Sequence, residues 1–187
     1  MSDDVMQVFR RRMMSVELQA VRSESDILRL SPDPTSGSPP RVLLGIFREL
    51  QYMEPRPDGA VHAVQRPLPF SLQLPADYCN CTDGSLQMRV ARILTPIAHP
   101  NVGPGGIVCL GPRFRPATRL APLLEHLHRI CSSNLFAAES PLNPYAAELY
   151  RRHAEAIKGL HSAPLWKRPV VDRVRIVSAE GERRGER

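Results

Sequence analysis

Lysine is nearly absent from this 187-residue sequence. Only Lys158 and Lys167 are lysines, whereas 23 arginines supply the rest of the 25 basic side chains. The sequence alone leaves two interpretations open. One is a coding bias toward arginine. The other is that a protein handling an activated acyl group benefits from having few amines of its own, because a guanidinium stays protonated and is not a nucleophile.

The sequence also lacks a long hydrophobic run. No segment approaches the roughly 20 apolar residues of a membrane span, and the N-terminus has early acidic residues without the apolar core of a signal peptide. We therefore expect a cytoplasmic protein with no membrane partner and with four reduced cysteines. Cys79 and Cys81 are spaced C-x-C without a second pair, so we expect structural thiols and assign neither a metal nor a cofactor.

Aromatic residues are scarce, at 5% of the chain, and no stacking platform is interleaved with the dispersed arginines. Single-stranded nucleic acids are bound on such platforms beside positive charge. Although the formal net charge is +6, an arginine-driven nucleic-acid-binding protein is therefore only an alternative. The length and the 42% hydrophobic content fit one domain with a mainly aliphatic core.

The first two thirds of the chain predict a helix followed by strands. Apolar residues recur at three- and four-residue steps over residues 3–22, which indicates an amphipathic helix with Arg10, Arg11 and Arg12 on a basic face. Alternating or apolar segments predict strands at DILRL (26–30), RVLLGIFREL (41–50), PFSLQLPADY (69–78) and LQMRVARIL (86–94), with a loop at EPRPDG (54–59).

The last third predicts two helices. One follows the candidate N-cap Thr118 and carries an apolar face that ends at Cys131, which we expect to be a core residue. Six residues form this face: Leu120, Leu123, Leu124, Leu127, Ile130 and Cys131. His126 and His128 are two positions apart, so they cannot share a helix face for a metal, and we expect solvated side chains.

The second helix is predicted to begin with the cap Asn143 and Pro144 and to end at Gly159. We place one domain at residues 1–160. A partly disordered C-terminal extension is predicted at residues 161–187, where WKRPVVDRVRIV could form a strand or an extended arm.

One stretch, IAHPNVGPGGIVCLG (97–111), carries the candidate chemistry. With the element order above, it resembles the ubiquitin-conjugating enzyme family, whose hallmark is a His-Pro-Asn tripeptide shortly before an active cysteine in an Ile-Cys-Leu setting. His99, Pro100 and Asn101 precede Cys109 here, and PFSLQLPADY, RPAT and PLNPYAAELY are similar to further family segments. The resemblance covers roughly residues 3–157. Taken alone, IVCLG would favour a buried packing thiol.

The resemblance implies an α/β (α+β) fold with an N-terminal helix, a four-stranded antiparallel meander, an active-site loop and C-terminal helices. It implies that Cys109 takes a ubiquitin-like modifier as a thioester from an activating enzyme and delivers it to an amine of a target protein. The 1–160 domain would then be the catalytic domain. An inactive adaptor on the same fold is the alternative.

The resemblance also assigns roles to individual residues. Asn101 is the candidate amide donor to the charge that develops on the thioester oxygen. His99 organises the loop rather than acting as a base. Ser140, just before Pro-Leu, is a candidate gate for the attacking amine, with Glu139 beside it; alternatively, both residues only cap the turn into Asn143.

The basic N-terminal helix has a matching interpretation as a docking site. Arg10, Arg11 and Arg12 would contact the activating enzyme, although a merely solvated helix face explains them as well.

Several positions depart from the family pattern. Phe114 stands for a usual tryptophan, residues 79–81 (Cys-Asn-Cys) follow Tyr78 where two prolines are usual, and Gly111 replaces an acidic residue. In the family, the proline-rich turn and the neighbouring helix start form much of the surface where members meet their ligases, so partner choice is the open question. The arginine-rich, minimal chain suggests a bacterial member of a ubiquitin-like conjugation operon of the Bil type, which is linked to defence against phage.

Overall fold

The first element is the predicted N-terminal helix. The computed structural model describes residues 3–36, 41–74, 90–111, 120–136, 140–160 and 162–167, and in it α1 covers Asp3–Glu24. Leu18 and Val21 of α1 are buried in the main core. The side chains of Arg10, Arg11 and Arg12 lie outside the described set, so their predicted basic face stays a prediction.

Four antiparallel strands form one sheet in the order β1-β2-β3-β4. The strands are β1 (Leu28–Pro32), β2 (Val42–Pro55), β3 (Val61–Gln73) and β4 (Ala91–Ile93). Alternate residues, such as Leu28 and Leu30 of β1, are buried, while Arg29 and Ser31 between them are exposed. The predicted four-stranded meander is confirmed.

The central hairpin is longer than the sequence pattern predicted. β2 continues through Glu54 and Pro55, which we expected in a loop, and β3 begins at Val61 rather than near residue 69. The strand register shifts between Phe47 and Leu50, close to Pro67. Proline has no backbone N–H, so a ladder bond is missing there and a bulge is tolerated. In that bulge the Arg48 amide donates to Ile27 O instead.

Helix α2 (Leu120–Cys131) packs its apolar side against the sheet. The six residues that were predicted to share one face are all buried, including Cys131. Thr118, the predicted cap, lies outside the described residues. The carboxylate of Glu17 on α1 accepts a hydrogen bond from Leu120 N at 2.9 Å, so a side chain from another helix satisfies an amide at this end of α2.

The prediction that His128 is solvated was wrong. Its side chain is buried, and its ring packs edge-to-face on Phe47 with centroids 5.3 Å apart. Phe47 in turn stacks on Phe70 at 4.6 Å, in space that Gly45 leaves open, because a Cβ there would strike the Phe70 ring. Burial lowers the pKa of His128 to about 4.

The predicted second helix exists but is interrupted. α3 covers Pro144–Arg152 and α4 covers Ala154–Lys158, with His153 between them in a non-helical conformation. Asn143 caps α3 as predicted, since its Oδ1 accepts from Ala146 N at 3.0 Å. Gly159 follows the last helical residue, as expected.

Residues 162–167 fold back onto the end of α1. Ser25 Oγ donates to Leu165 O at 2.6 Å, and Lys167 N donates to Glu24 O at 2.8 Å. Leu165 and Trp166 are buried in the main core. The remainder of the predicted extension, from residue 168 onward, lies outside the described residues. Within the described part of the chain, no helix is long and apolar enough to cross a membrane.

Candidate active site

Cys109 lies in a short extended segment beside the sheet, residues 107–110, which we call the cysteine segment. Ile107 bridges Arg92 of β4, and the Val108 amide donates to Ala91 O at 3.0 Å. Val108 also bridges Val102 on its other side. The segment is therefore fixed between β4 and the His-Pro-Asn loop, and it leaves the Cys109 side chain partly exposed.

Asn101 and Cys109 are joined by two hydrogen bonds. The Cys109 amide donates to Asn101 O at 2.7 Å, and the Asn101 side-chain Nδ2 donates to Cys109 O at 3.0 Å. The side chain of Asn101 is buried although it is polar. An amide donor is thus held next to the one thiol that is both described and partly exposed to solvent.

His99 is buried beneath this pair. Its Nδ1 accepts a hydrogen bond from Asn101 N at 3.0 Å, so in the neutral ring the proton is on Nε2. Burial lowers the pKa of His99 to about 3, because desolvation disfavours the charged form of the ring. Tyr150 of α3 packs edge-to-face on the imidazole, with ring centroids 5.2 Å apart. The ring is therefore neutral at physiological pH.

The glycines between the tripeptide and the cysteine form a tight turn. Pro104–Gly106 is a single 3₁₀ turn, and Gly105 and Gly106 have positive φ of 69° and 78°. A Cβ on Gly106 would collide with Ile93 O, whereas one on Gly105 would meet nothing within 4 Å. Gly106 is thus required by close backbone approach, and Gly105 only by its conformation.

The start of α3 forms a wall against the loop. Asn143 N donates to Pro100 O at 3.0 Å, and Asn143 Nδ2 donates to Val102 O at 3.3 Å. Leu142 packs so close to Gly103 that a Cβ there would lie 2.9 Å from its side chain. The sequence predicted Asn143 only as a helix cap, so its second role as a tie to the loop was missed. No local pattern signals it.

Ser140 is exposed and precedes Asn143 by three residues. The structure thus connects the segment of the predicted gate residue to the loop of His99 and Asn101 through Asn143. Glu139, Phe114 and residues 79–81 lie outside the described residues, and Gly111 has a positive φ of 89°.

His126 is a second residue that the sequence misassigned. It is partly buried rather than solvated, and its Nε2 lies 2.6 Å from the carbonyl oxygen of Leu110, the residue after Cys109. Burial lowers the pKa of His126, and the hydrogen bond to Leu110 opposes that shift. Helical spacing could not have revealed this contact, since its partner comes from a different part of the chain.

Cys131 differs from Cys109 in its environment. It is fully buried in α2, and burial raises the pKa of its thiol, which disfavours the thiolate needed for nucleophilic attack. Among the described residues, no group of three His, Cys, Asp or Glu side chains could hold a metal ion. The partly exposed Cys109 thiol, with the Asn101 amide donor beside it, suits covalent chemistry.

Comparison with known proteins gives a limited result. No protein-family model matches the chain. Among solved structures, it is similar to S. cerevisiae Ubc12, with 18% sequence identity over 80% of this chain and 84% of that chain and a TM-score of 0.47. A likeness this distant does not assign an activity, because one fold hosts many functions. Functional inference therefore depends on the site itself.

Proposed function

We propose that this protein is a ubiquitin-conjugating-type enzyme. It takes a ubiquitin-like modifier from an activating enzyme as a thioester on Cys109 and transfers it to an amine of a target protein. The observation that carries this proposal is the partly exposed Cys109 thiol next to the buried Asn101 amide, whose Nδ2 donates to Cys109 O at 3.0 Å. The His-Pro-Asn tripeptide before the cysteine agrees with it.

The first step is an exchange between two thiols. The Cys109 thiolate attacks the carbonyl carbon of the modifier's thioester, a new C–S bond forms, and the thiolate of the activating enzyme's cysteine leaves. A cysteine is intrinsically nucleophilic and a few per cent ionised near neutral pH, so this exchange needs no adjacent base. We do not assign His99 as such a base, because its Nδ1 accepts a hydrogen bond from Asn101 N and burial lowers its pKa to about 3.

The second step is attack by an amine. A neutral amine of the target adds to the thioester carbonyl, negative charge develops on the carbonyl oxygen, and the Cys109 thiolate leaves as the amide bond forms. The amine's proton passes to solvent. We assign Asn101 as the donor that stabilises the developing oxyanion and His99 as the residue that organises the loop. We assign Ser140, which is exposed and precedes α3, as the gate where the amine enters.

We assign the docking of the activating enzyme to α1, through Arg10, Arg11 and Arg12. The support is the charge of this triplet in a long N-terminal helix. Arginine and glutamine have similar helix propensities, so replacing all three arginines with glutamine removes the positive charge with little effect on the stability of the helix.

The cellular setting is a further part of the proposal. We propose a cytoplasmic enzyme of a bacterial ubiquitin-like conjugation operon that acts in defence against phage. The support is the short, arginine-rich character of the chain. The efficiency of phage plating on cells that carry the operon should rise equally when the gene is deleted and when Cys109 is replaced by alanine. An unchanged plating efficiency would contradict this setting.

The biochemical proposal is tested on a non-reducing gel. The protein is incubated with the activating enzyme and modifier from the same source and with ATP. We expect an adduct that thiol reductant removes, a reductant-resistant oxyester or no adduct with Cys109→Ser, and no adduct with Cys109→Ala. An adduct that persists unchanged in Cys109→Ala would overturn the assignment, and a wild-type protein that forms none would instead be a non-catalytic adaptor.

A further inference from the structure

His126 on α2 reaches the residue that follows the reactive cysteine. Its Nε2 lies 2.6 Å from Leu110 O. A carbonyl oxygen only accepts hydrogen bonds, so Nε2 carries the hydrogen and donates. The side chain is partly buried, and the two atoms are close enough for a direct hydrogen bond.

The hydrogen bond from His126 holds the end of the cysteine segment after Cys109, whereas β4 and the His-Pro-Asn loop hold the residues before and at Cys109. Before and at the cysteine, Val108 N donates to Ala91 O and Cys109 N donates to Asn101 O. After the cysteine, Leu110 is tied to α2 by His126. Cys109 is therefore held from β4 and the loop on one side and from α2 on the other.

The conformation of Gly111 makes this second tie important. Gly111 has φ of 89°, and a Cβ placed on it would meet nothing within 4 Å. Glycine adopts positive and negative φ about equally well, so the residue itself does not select between them. Without an anchor, the peptide between Leu110 and Gly111 could rotate. The hydrogen bond to His126 selects one orientation of that peptide.

We propose that His126 is a positioning residue for the reaction at Cys109, an inference that rests on the proposed function. It acts through Leu110 and touches neither the modifier nor the amine. By holding the Leu110–Gly111 peptide, it keeps the thioester carbonyl on Cys109 in register with the Asn101 amide. A misplacement of about 1 Å at a reacting centre is enough to slow a reaction by as much as a hundredfold.

The test uses the full chain with Cys79→Ser and Cys81→Ser as the parent, so that Cys109 is its one accessible thiol beside the buried Cys131. The acyl probe is the mercaptoethanesulfonate thioester of acetyl-glycylglycine. Intact mass follows the acylation of Cys109 and then its aminolysis by free lysine. Iodoacetamide alkylation measures thiol reactivity without a tetrahedral intermediate.

Four variants of this parent separate positioning from folding. His126→Leu removes the donor, and His126→Gln restores an N–H group near the position of Nε2. Glu125→Leu is the matched control, because Glu125 directly precedes His126 in α2 and is also partly exposed. Asn101→Ala reports on the proposed function itself, and a thermal melt of each variant shows that it is folded.

We expect His126→Leu to slow aminolysis about tenfold, with alkylation changed by less than about twofold. His126→Gln should recover most of the rate, and Glu125→Leu should match the parent. Aminolysis unchanged in His126→Leu, no rescue by glutamine, or an equal loss of alkylation would each overturn the inference. Aminolysis unchanged in Asn101→Ala would instead overturn the proposed function, and the inference with it.

Discussion

At the scale of single residues, the site depends on polar groups that are buried and neutral. Asn101 and His99 are each less than 5% exposed, and they are joined by the bond from Asn101 N to His99 Nδ1. A buried polar side chain is costly unless it is hydrogen-bonded. Such residues are therefore strong positions at which to test the account.

The first residue-scale prediction concerns Asn101. Replacing it with alanine removes the donor that we assign to the oxyanion, so discharge of the Cys109 thioester to free lysine should slow about a hundredfold or more. Charging of Cys109 should fall far less, because thiol exchange is the easier step. Single-turnover charging and discharge measure the two steps separately. Equal losses in both would contradict the assigned role.

The second residue-scale prediction concerns pH. Burial lowers the pKa of His99 to about 3 and that of His128 to about 4, so the folded protein keeps both rings neutral while the unfolded chain protonates them near pH 6.5. Their neutrality thus favours folding fully above about pH 6.5, and that contribution is lost as pH falls below it. From about pH 7.5 to about pH 5.5, the free energy of unfolding should fall by about 2–3 kcal/mol.

Urea denaturation at the two pH values checks this prediction. His128→Met puts an apolar side chain beside Phe47 and removes one of the buried histidines, so it should reduce the pH dependence by about 1.4 kcal/mol. A pH dependence equal in the wild-type protein and in His128→Met would refute the explanation.

At the scale of elements, the site is a junction of β4, the His-Pro-Asn loop, the cysteine segment and α3. Asn143 joins two of them, because its Oδ1 caps α3 through Ala146 N and its Nδ2 donates to Val102 O. The two atoms of one amide thus serve two different structural purposes. The chemistry of the side chain allows the purposes to be separated by mutation.

The element-scale prediction uses that separation. Asn143→Asp keeps an oxygen for the cap and loses the donor to Val102, whereas Asn143→Ala loses both. We expect alanine to lower the free energy of unfolding by about 1 kcal/mol and aspartate to lower it by less. Both should slow discharge of the thioester, since the loop loses its side-chain tie at Val102 and keeps only the backbone bond from Asn143 N to Pro100 O. Full activity of Asn143→Asp would show that the tie to Val102 has no part in catalysis.

Elements differ in how far the sequence predicted them. The leucine face of α2 and the alternation in β1 and the later part of β3 arise from local periodicity, and they were predicted correctly. The first half of β3 and the end of β2 were missed, because Pro55 and Pro67 suggest loops while the bulge near Phe47 lets the hairpin continue. Contacts between segments that are distant in sequence determine where such strands begin and end.

The candidate site shows the same limit. Local motifs pointed to His99, Asn101 and Cys109, and the structure brings these three together through hydrogen bonds. The contacts of His126 with Leu110 and of Tyr150 with His99 join residues 16 and 51 positions apart. No spacing rule in a single sequence predicts such pairs, so these supporting residues could only come from the fold.

At the scale of the whole molecule, amines are scarce and both lysines are paired. Lys158 Nζ lies 2.8 Å from Glu155 Oε1, and Lys167 Nζ lies 2.9 Å from Asp26 Oδ1. Exposed ion pairs are weak. The small number of lysines, rather than their ion pairs, would therefore limit the modification of the chain by its own thioester. Under the proposed function, a thioester on this chain meets few amines of its own.

The whole-molecule prediction places an amine beside the site. Arg92 is exposed and bridges Ile107, two residues before Cys109. Arg92→Lys keeps the charge and adds a nucleophile, so the charged enzyme should form a reductant-resistant adduct with itself that Arg92→Gln does not form. Reducing gels over time measure it. Equal self-modification in both variants would leave coding bias as the explanation of the arginine excess.

The central claim is that Cys109, and no other cysteine, carries the acyl group. The most direct measurement traps the modifier as an oxyester on Cys109→Ser and maps the linkage after trypsin digestion, which releases position 109 in the peptide of residues 93–113. Cys79 and Cys81 fall in a different peptide, and so does Cys131. We predict the modifier's remnant on position 109 alone, and a linkage on either of the other two peptides would contradict the account.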